Sequence, residues 1–254
     1  MSRWKITVEY DGRGFVGWQR QDNGPSIQQC LEEAVEKLSG ETVRVHGAGR
    51  TDAGVHALGQ TAHFDLGKVL TQRAIRDGLN FHLRPAPIAV LDAEPVPDDF
   101  HARMSAVERG YVYRIVNRRA PLALDDGRAW QIGRPLDAEA MDAAARILIG
   151  RHDFTTFRAS LCQAKSPVKT LDVLTVTRSG PEIRITARAR SFLHHQIRNI
   201  TGTLVLVGEG RWPVERVRTA LEARDRSKGG PTAPPDGLYF TDVVYGTADN
   251  NQGR

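Results

Sequence analysis

Cysteine is nearly missing from this 254-residue chain: Cys30 and Cys162 are far apart and form no CxxC pair. A disulfide framework is therefore not expected, and a reducing cytoplasm suits the composition. No run of about eighteen apolar residues occurs, so no transmembrane helix is expected. Met1-Ser2-Arg3-Trp4-Lys5 leads directly into an alternating strand pattern, so no secretory leader is expected before it. Low-complexity segments are lacking. No HExxH motif or Cys/His cluster accompanies the eight histidines. The adjacent His194 and His195 would point about 100° apart on a helix, so no metal is expected there. Positive charge is in modest excess, with 35 Lys and Arg against 30 Asp and Glu, a formal +5. That balance suits a polyanionic partner better than a cationic one, without establishing either.

Apolar periodicity divides the chain into short strands and helices. Lys5–Tyr10 alternates as a strand, and Ser26 opens an amphipathic helix running through Leu38 and ended by Gly40. Strands are predicted over Thr42–His46, Gln60–Asp65 and Ile88–Asp92, with a helix over Thr71–His82. The Pro/Asp-rich run Glu94–Asp99 reads as a connector between halves. Beyond it, strands are predicted over Ser105–Asn117, Asp172–Thr177, Glu182–Arg190 and Leu238–Tyr245. Helices are predicted over Asp137–Leu148, Phe192–Val207 and Val214–Ala223. Strands and helices alternate without regular crossovers, which defines an α+β class. The organisation expected is an N-terminal half, 1–104, a C-terminal half, 105–246, and a polar tail, 247–254, that frays.

Gly12-Arg13-Gly14-Phe15-Val16-Gly17 matches GxGxxG after a strand. A dinucleotide fingerprint also needs a helix to start at once, and Trp18–Pro25 intervenes, so these glycines read as an exposed loop. The segment Gly49-Arg50-Thr51-Asp52-Ala53-Gly54-Val55-His56 is more specific. Glycines on both sides of one carboxylate permit a sharp turn and close backbone approach to a bulky ligand. An ordinary Asp-containing surface turn would look the same. In the strand Val107–Asn117, Arg109, Tyr111, Tyr113 and Ile115 share one face. That face suits either a cleft where rings stack on bases, or a half-exposed surface with the tyrosine stems packed down. Ile183, Ile185, Ala187 and Ala189 form the apolar face of the strand from Glu182. Arg184, Arg188 and Arg190 form either a solvated face or a strip that tracks a phosphate backbone. In the next helix Leu193, Ile197, Ile200 and Leu204 make the buried stripe, with Arg198 at its edge.

Taken in order, these blocks resemble the TruA family of tRNA pseudouridine synthases over nearly the whole chain. Tyr10-Asp11-Gly12 with Phe15–Gln19 is similar to the N-terminal motif of that family, and Gly49–His56 to its catalytic loop. Phe100-His101-Ala102-Arg103 resembles an RNA-contacting loop, followed at the expected interval by Arg109-Gly110-Tyr111-Val112-Tyr113. Asp153–Arg158 and Phe192–Ile200 resemble two later blocks. The resemblance implies two related, ferredoxin-like α/β halves forming a continuous, mostly antiparallel sheet flanked by helices, with a catalytic cleft between them. It also implies a homodimer, no cofactor, no metal, and isomerisation of uridine to pseudouridine at tRNA positions 38, 39 and 40 in the anticodon arm. On the family pattern Asp52 is the nucleophile, Tyr111 the uracil-stacking tyrosine, Arg198 the ion-pair partner of Asp52, and Arg50 the arginine linked to base flipping. Phe100, His101, Ala102, Arg103 and Met104 form one tRNA-binding segment. Leu161, Cys162, Gln163, Ala164 and Lys165 occupy the place of another, and Arg119 joins the tRNA-binding set.

The chemistry implied breaks a C–N glycosidic bond, turns the uracil and rejoins it through carbon. A carboxylate can add to the anomeric carbon or to the uracil ring, and a glycal formed by C2′ deprotonation is a third route. A carboxylate in a cleft must ionise against desolvation, which a nearby arginine offsets. Two other classes stay open on residues alone: a non-catalytic RNA-binding module of RRM-like sheets, and a nicotinamide oxidoreductase resting on Gly12–Gly17. The aromatic RNP1 octamer of the first is missing, as is the prompt helix of the second.

Overall fold

In chain order the elements are β1 (Ser2–Tyr10), α1 (Ile27–Ser39), β2 (His46–Gly47), β3 (His56–Leu66), α2 (Gln72–Leu83), β4 (Ile88–Val96), β5 (Ala106–Val116) and β6 (Trp130–Gln131). Then follow α3 (Ala138–Arg146), β7 (Gly150–Asp153), β8 (Val168–Leu171), β9 (Val173–Ser179), β10 (Glu182–Ala189), α4 (Gln196–Gly208), α5 (Arg216–Ala223) and β11 (Leu238–Tyr245). They come from a computed structural model that describes residues 1–160 and 162–246. Leu161 and the tail 247–254 lie outside the described residues. The class is the α+β one expected, with a large, mostly antiparallel sheet flanked by helices. Two compact units divide the chain: Met1–Arg109 with the segment from Tyr239 onward, and Gly110–Leu238. No helix among the described residues is long and apolar enough to cross a membrane.

In the first unit the strands run in the order β4-β1-β3-β11, and β2 pairs with β3. The registers Ile6↔Ala62 and Ile6↔Ala93 place β1 between antiparallel neighbours, and β11 joins β3 in parallel at Tyr239↔His56. Helix α1 begins where predicted: the Ser26 side chain accepts from the Gln29 amide, and Gly40 ends it at φ 80°. Thr71 caps α2 in the same way through the Ala74 amide. Ile27, Leu31, Val35, Ile75 and Leu79 are buried, each contributing about 1.5–3 kcal/mol of apolar burial.

Two expectations fail here, for identifiable reasons. Of the predicted strand Thr42–His46, only His46 is in a strand, in β2. The buried Glu32 of α1 accepts from the Val45 amide, and Gln28 donates to the Val45 carbonyl, so helix side chains take the groups a strand partner would use. The run from Glu94 is not wholly a connector, because β4 continues through Val96, paired as Lys5↔Glu94 and Arg3↔Val96. Pro95 is tolerated because β4 is the outer strand of this unit, where a missing amide donor costs no ladder bond.

In the second unit the strand order is β5-β10-β9, with β6 on β5 and a separate β7-β8 pair. Ile183, Ile185, Ala187 and Ala189 are all buried, as the alternation of β10 predicts. Helix α4 starts at Gln196, four residues later than predicted: His194 and His195 form a turn, and His195 sits at φ 61° as its N-cap. Almost every residue of α4 is buried, so it is a central helix rather than an amphipathic one. The segment Gly229–Gly237 lies tightly against it. A Cβ on Gly202 would stand 1.8 Å from the Pro231 carbonyl oxygen, and the Gly230 amide donates to Thr203 Oγ1 at 2.9 Å.

Candidate active site

The Asp52 loop is held from several sides by its own unit. The Trp18 amide donates to the Thr51 carbonyl (3.0 Å), the Val55 amide to the Asp52 carbonyl (3.2 Å), and Thr51 Oγ1 pairs with the buried Tyr10 hydroxyl (2.8 Å). Burial pushes the Tyr10 phenol up to about 12, against the hydrogen bonds of Thr51 and Gln60, so it stays protonated. The glycines of the GxGxxG match build this support. A Cβ at Gly12 would lie 2.1 Å from the Val55 carbonyl oxygen, and Gly17, at φ 112°, would meet the Thr51 carbonyl oxygen at 2.6 Å. The Gly12 amide donates to His56 Nδ1 at 3.1 Å, and the His56 ring stacks on Tyr239 at 4.7 Å. This stretch is therefore a packing surface for the carboxylate loop, with Gly12 and Gly17 buried rather than exposed. Asp52 is half-buried on the fixed backbone, and Arg50 is exposed.

The same unit carries Phe100, His101, Ala102, Arg103 and Met104. Ala102 is buried, while Arg103 and Met104 project outward, Met104 with 73% of its surface exposed. Arg109 is buried instead of facing a cleft: its Nε donates to the Ala48 carbonyl (3.0 Å) and its terminal nitrogen to the Arg103 carbonyl (2.7 Å).

In the second unit, Tyr111 on β5 is buried and meets Phe192 edge to face, with centroids 5.0 Å apart. Tyr113 is wholly buried and donates to the Pro234 carbonyl at 2.8 Å. Burial drives its phenol well above the usual range, the nearby Arg198 charge acting in the opposite sense. The shared face of Arg109, Tyr111, Tyr113 and Ile115 is thus buried, with Arg109 and Tyr113 donating to backbone carbonyls. Arg198 Nε donates to the Ala233 carbonyl (2.8 Å), and the Ala233 amide donates back to the Arg198 carbonyl (3.1 Å). Asn199, next in the helix, accepts from Arg226 and Thr232 and donates to the Phe157 carbonyl. Arg119 is exposed, its carbonyl held by Gln131. Cys162, Gln163, Ala164 and Lys165 form an irregular segment with Gln163 and Lys165 exposed.

Sequence reasoning gave no role to the residues that hold these groups: Tyr10 on Thr51, His63 and Tyr245 on the Ala102 backbone, and Ala233 on Arg198. Their contacts join positions dozens of residues apart, so no local spacing marks them.

A half-buried carboxylate on a braced, glycine-flanked loop, with Arg50 exposed two residues before it, is an arrangement compatible with an enzyme active site. Comparison with known proteins makes the class specific. The family model described as tRNA pseudouridine synthase matches residues 6–105 and 144–246. The chain is 64% identical over 245 residues to tRNA pseudouridine synthase A of Rhodospirillum rubrum, covering 96% of this chain and 88% of that one. It is 64% identical to the Rhodospirillum centenum protein of the same name, covering 96% and 100%. With that of Paramagnetospirillum magneticum it shares 62% over 253 residues, covering 100% and 99%. This chain belongs to the tRNA pseudouridine synthase family, and its class of chemistry is isomerisation.

Proposed function

We propose that this protein isomerises uridine to pseudouridine at tRNA positions 38, 39 and 40, in the anticodon arm, with Asp52 as nucleophile. It does so in the cytoplasm as a homodimer and without a cofactor. The observation that most supports this reading is the Asp52 loop: its backbone is bound through Thr51, Asp52 and Val55, so the half-buried carboxylate is presented on a rigid support. The overall reaction breaks the C1′–N1 bond and forms C1′–C5. C5 loses a proton and N1 gains one, so no oxidant or hydrolytic water is consumed.

In this reading Tyr111 stacks on the flipped uracil and relays the C5 proton. Arg198, oriented by the Ala233 carbonyl, pairs with Asp52. Arg50 takes the place of the extruded base, offsetting an unstacking cost of a few kcal/mol. Phe100, His101, Ala102, Arg103, Met104, Arg119 and residues 161–165 contact tRNA, chiefly through phosphates and the shape of the A-form stem.

The test is tritium release from tRNA carrying C5-tritiated uridine. Release that maps to the three anticodon-arm sites is expected. Binding without release would leave an RNA-binding module, and release from other sites would move the target.

A further inference from the structure

The segment Phe100–Met104 has an unusual backbone. Its polar groups are bound largely by side chains, where a loop ordinarily turns such groups to water. The Ala102 amide donates to His63 Nδ1 (3.2 Å), and the Tyr245 hydroxyl donates to the Ala102 carbonyl (2.8 Å). The Arg103 and Met104 amides both donate to His101 Nδ1, at 3.1 and 3.3 Å, and Arg109 donates to the Arg103 carbonyl at 2.7 Å. One residue earlier, the Phe100 carbonyl accepts from Arg3 (2.9 Å), itself held by both oxygens of Asp65. His101 closes the turn, its amide donating to Ser105 Oγ and its carbonyl accepting from the Ser105 amide.

These anchors come from β1, β3, β5 and β11, and they form one packed cluster. His63 stacks with His46 (5.0 Å) and meets His101 edge to face (4.7 Å), while Phe100 packs on Tyr245 (4.9 Å). The result is a bound backbone from which the Arg103 and Met104 side chains project. Arg109 has a second attachment. Its Nε reaches the Ala48 carbonyl (3.0 Å), four residues before Asp52, so one guanidinium spans the two loops.

We infer that His63, Tyr245 and Arg109 are positioning residues that hold the segment Phe100–Met104 in its tRNA-binding shape, and that Arg109 ties that shape to the Asp52 loop. The inference rests on the proposed reading that this segment contacts tRNA. Each anchor acts through the backbone, and a bound backbone removes an ordering cost that would otherwise be met on binding. His63 and Tyr245 are in the required state near neutral pH. Burial, then charge from His101, His46 and Arg3, lowers His63 to about 4 against Asp65, so its Nδ1 lone pair accepts. Burial pushes Tyr245 up to about 12 against Thr61 and Arg109, so its hydroxyl donates.

The test separates anchoring from RNA contact. Amide exchange at Ala102, Arg103 and Met104 is measured in the tRNA-free protein for wild type, His63→Leu, His63→Asn and Tyr245→Phe. Tyr245→Phe is the mild variant, keeping the ring against Phe100. Exchange is expected to rise several-fold in His63→Leu and Tyr245→Phe. His63→Asn, whose amide oxygen replaces Nδ1, restores protection. Unchanged exchange in Tyr245→Phe and in a folded His63→Leu overturns the anchor. For tRNA, loss of the His63 or the Tyr245 anchor is expected to weaken binding about three- to tenfold, the worth of one hydrogen bond, with the single-turnover rate at saturation kept. Arg109→Lys, which can reach one carbonyl but not both, is expected to lower affinity and rate together. If it lowers affinity alone, the tie to the Asp52 loop is wrong. Faster exchange with Arg103→Met weakened but Tyr245→Phe binding normally overturns positioning. Faster exchange with normal binding in both shows that the segment does not contact tRNA, and the inference falls with that reading.

Discussion

Gly12 and Val55 are packed backbone to backbone: a Cβ on Gly12 would stand 2.1 Å from the Val55 carbonyl oxygen and 2.6 Å from its carbon. No side-chain rotation can relieve that contact, because both neighbours are main chain. Gly12→Ala must therefore shift the Asp52 loop, and overpacking of this kind costs about 1–3 kcal/mol. We expect a lower melting temperature and a large loss of turnover with tRNA affinity little changed. Wild-type turnover in the purified variant would show that the loop tolerates the shift and that its rigid support is not needed.

Asp52→Asn keeps size and removes the charge of the proposed nucleophile. Pseudouridine formation should vanish while the melting temperature and tRNA affinity stay near wild type, since Thr51, Asp52 and Val55 are held through backbone groups. Chemical mapping of pseudouridine after incubation with excess enzyme checks this. Turnover at a tenth of the wild-type rate or more removes Asp52 from the nucleophile's role.

Tyr111→Phe retains the ring that packs edge to face on Phe192 and loses the hydroxyl. Near-normal tRNA binding with a severe loss of single-turnover rate is expected. A normal rate would leave Tyr111 as a stacking platform with no part in proton transfer.

Arg198→Met and Arg103→Met should separate in two assays. Arg198→Met keeps much of the apolar stem in α4 and removes the guanidinium that Ala233 orients. Its single-turnover rate should fall steeply while the salt dependence of tRNA binding barely changes. Arg103→Met should show weaker binding and a salt slope flatter by about one unit, the mark of one lost phosphate contact. A flattened slope in Arg198→Met would make it a phosphate ligand instead.

His63 also predicts an acid limb in stability. Its folded value, about 4, lies below the ordinary 6.5, so between these values the unfolded chain binds the proton that the folded chain refuses. The His63 contribution is complete above pH 6.5 and is lost as pH falls towards 4. Arg3, Asp65, His46 and His101 face it and stay in place in His63→Asn, which removes only the imidazole. Urea midpoints from pH 7.5 to 4.5 should therefore decline less in His63→Asn than in wild type. Parallel curves would place the acid sensitivity elsewhere.

Local chemistry made much of this protein legible before any coordinates. Ser26 and Thr71 cap their helices because a hydroxyl next to an apolar periodic run has an orphan amide to satisfy, and Gly40 ends α1 because it tolerates φ 80°. The alternation in β10 depends on a period of two, which reads directly from side-chain polarity. The ordered blocks around Asp52, Tyr111 and Arg198 carried the family. Tertiary structure decided what such signals cannot encode. Thr42–Val45 left the strand because Glu32 and Gln28 bound the Val45 backbone. Gly12 and Gly17 became the support of the Asp52 loop because another backbone lies against them. Arg109 turned inward because two carbonyls, at Ala48 and Arg103, meet its guanidinium. Each of these outcomes depends on a partner far away in sequence, and a hydrogen-bond partner or a steric limit of that kind exists only once the chain has closed on itself.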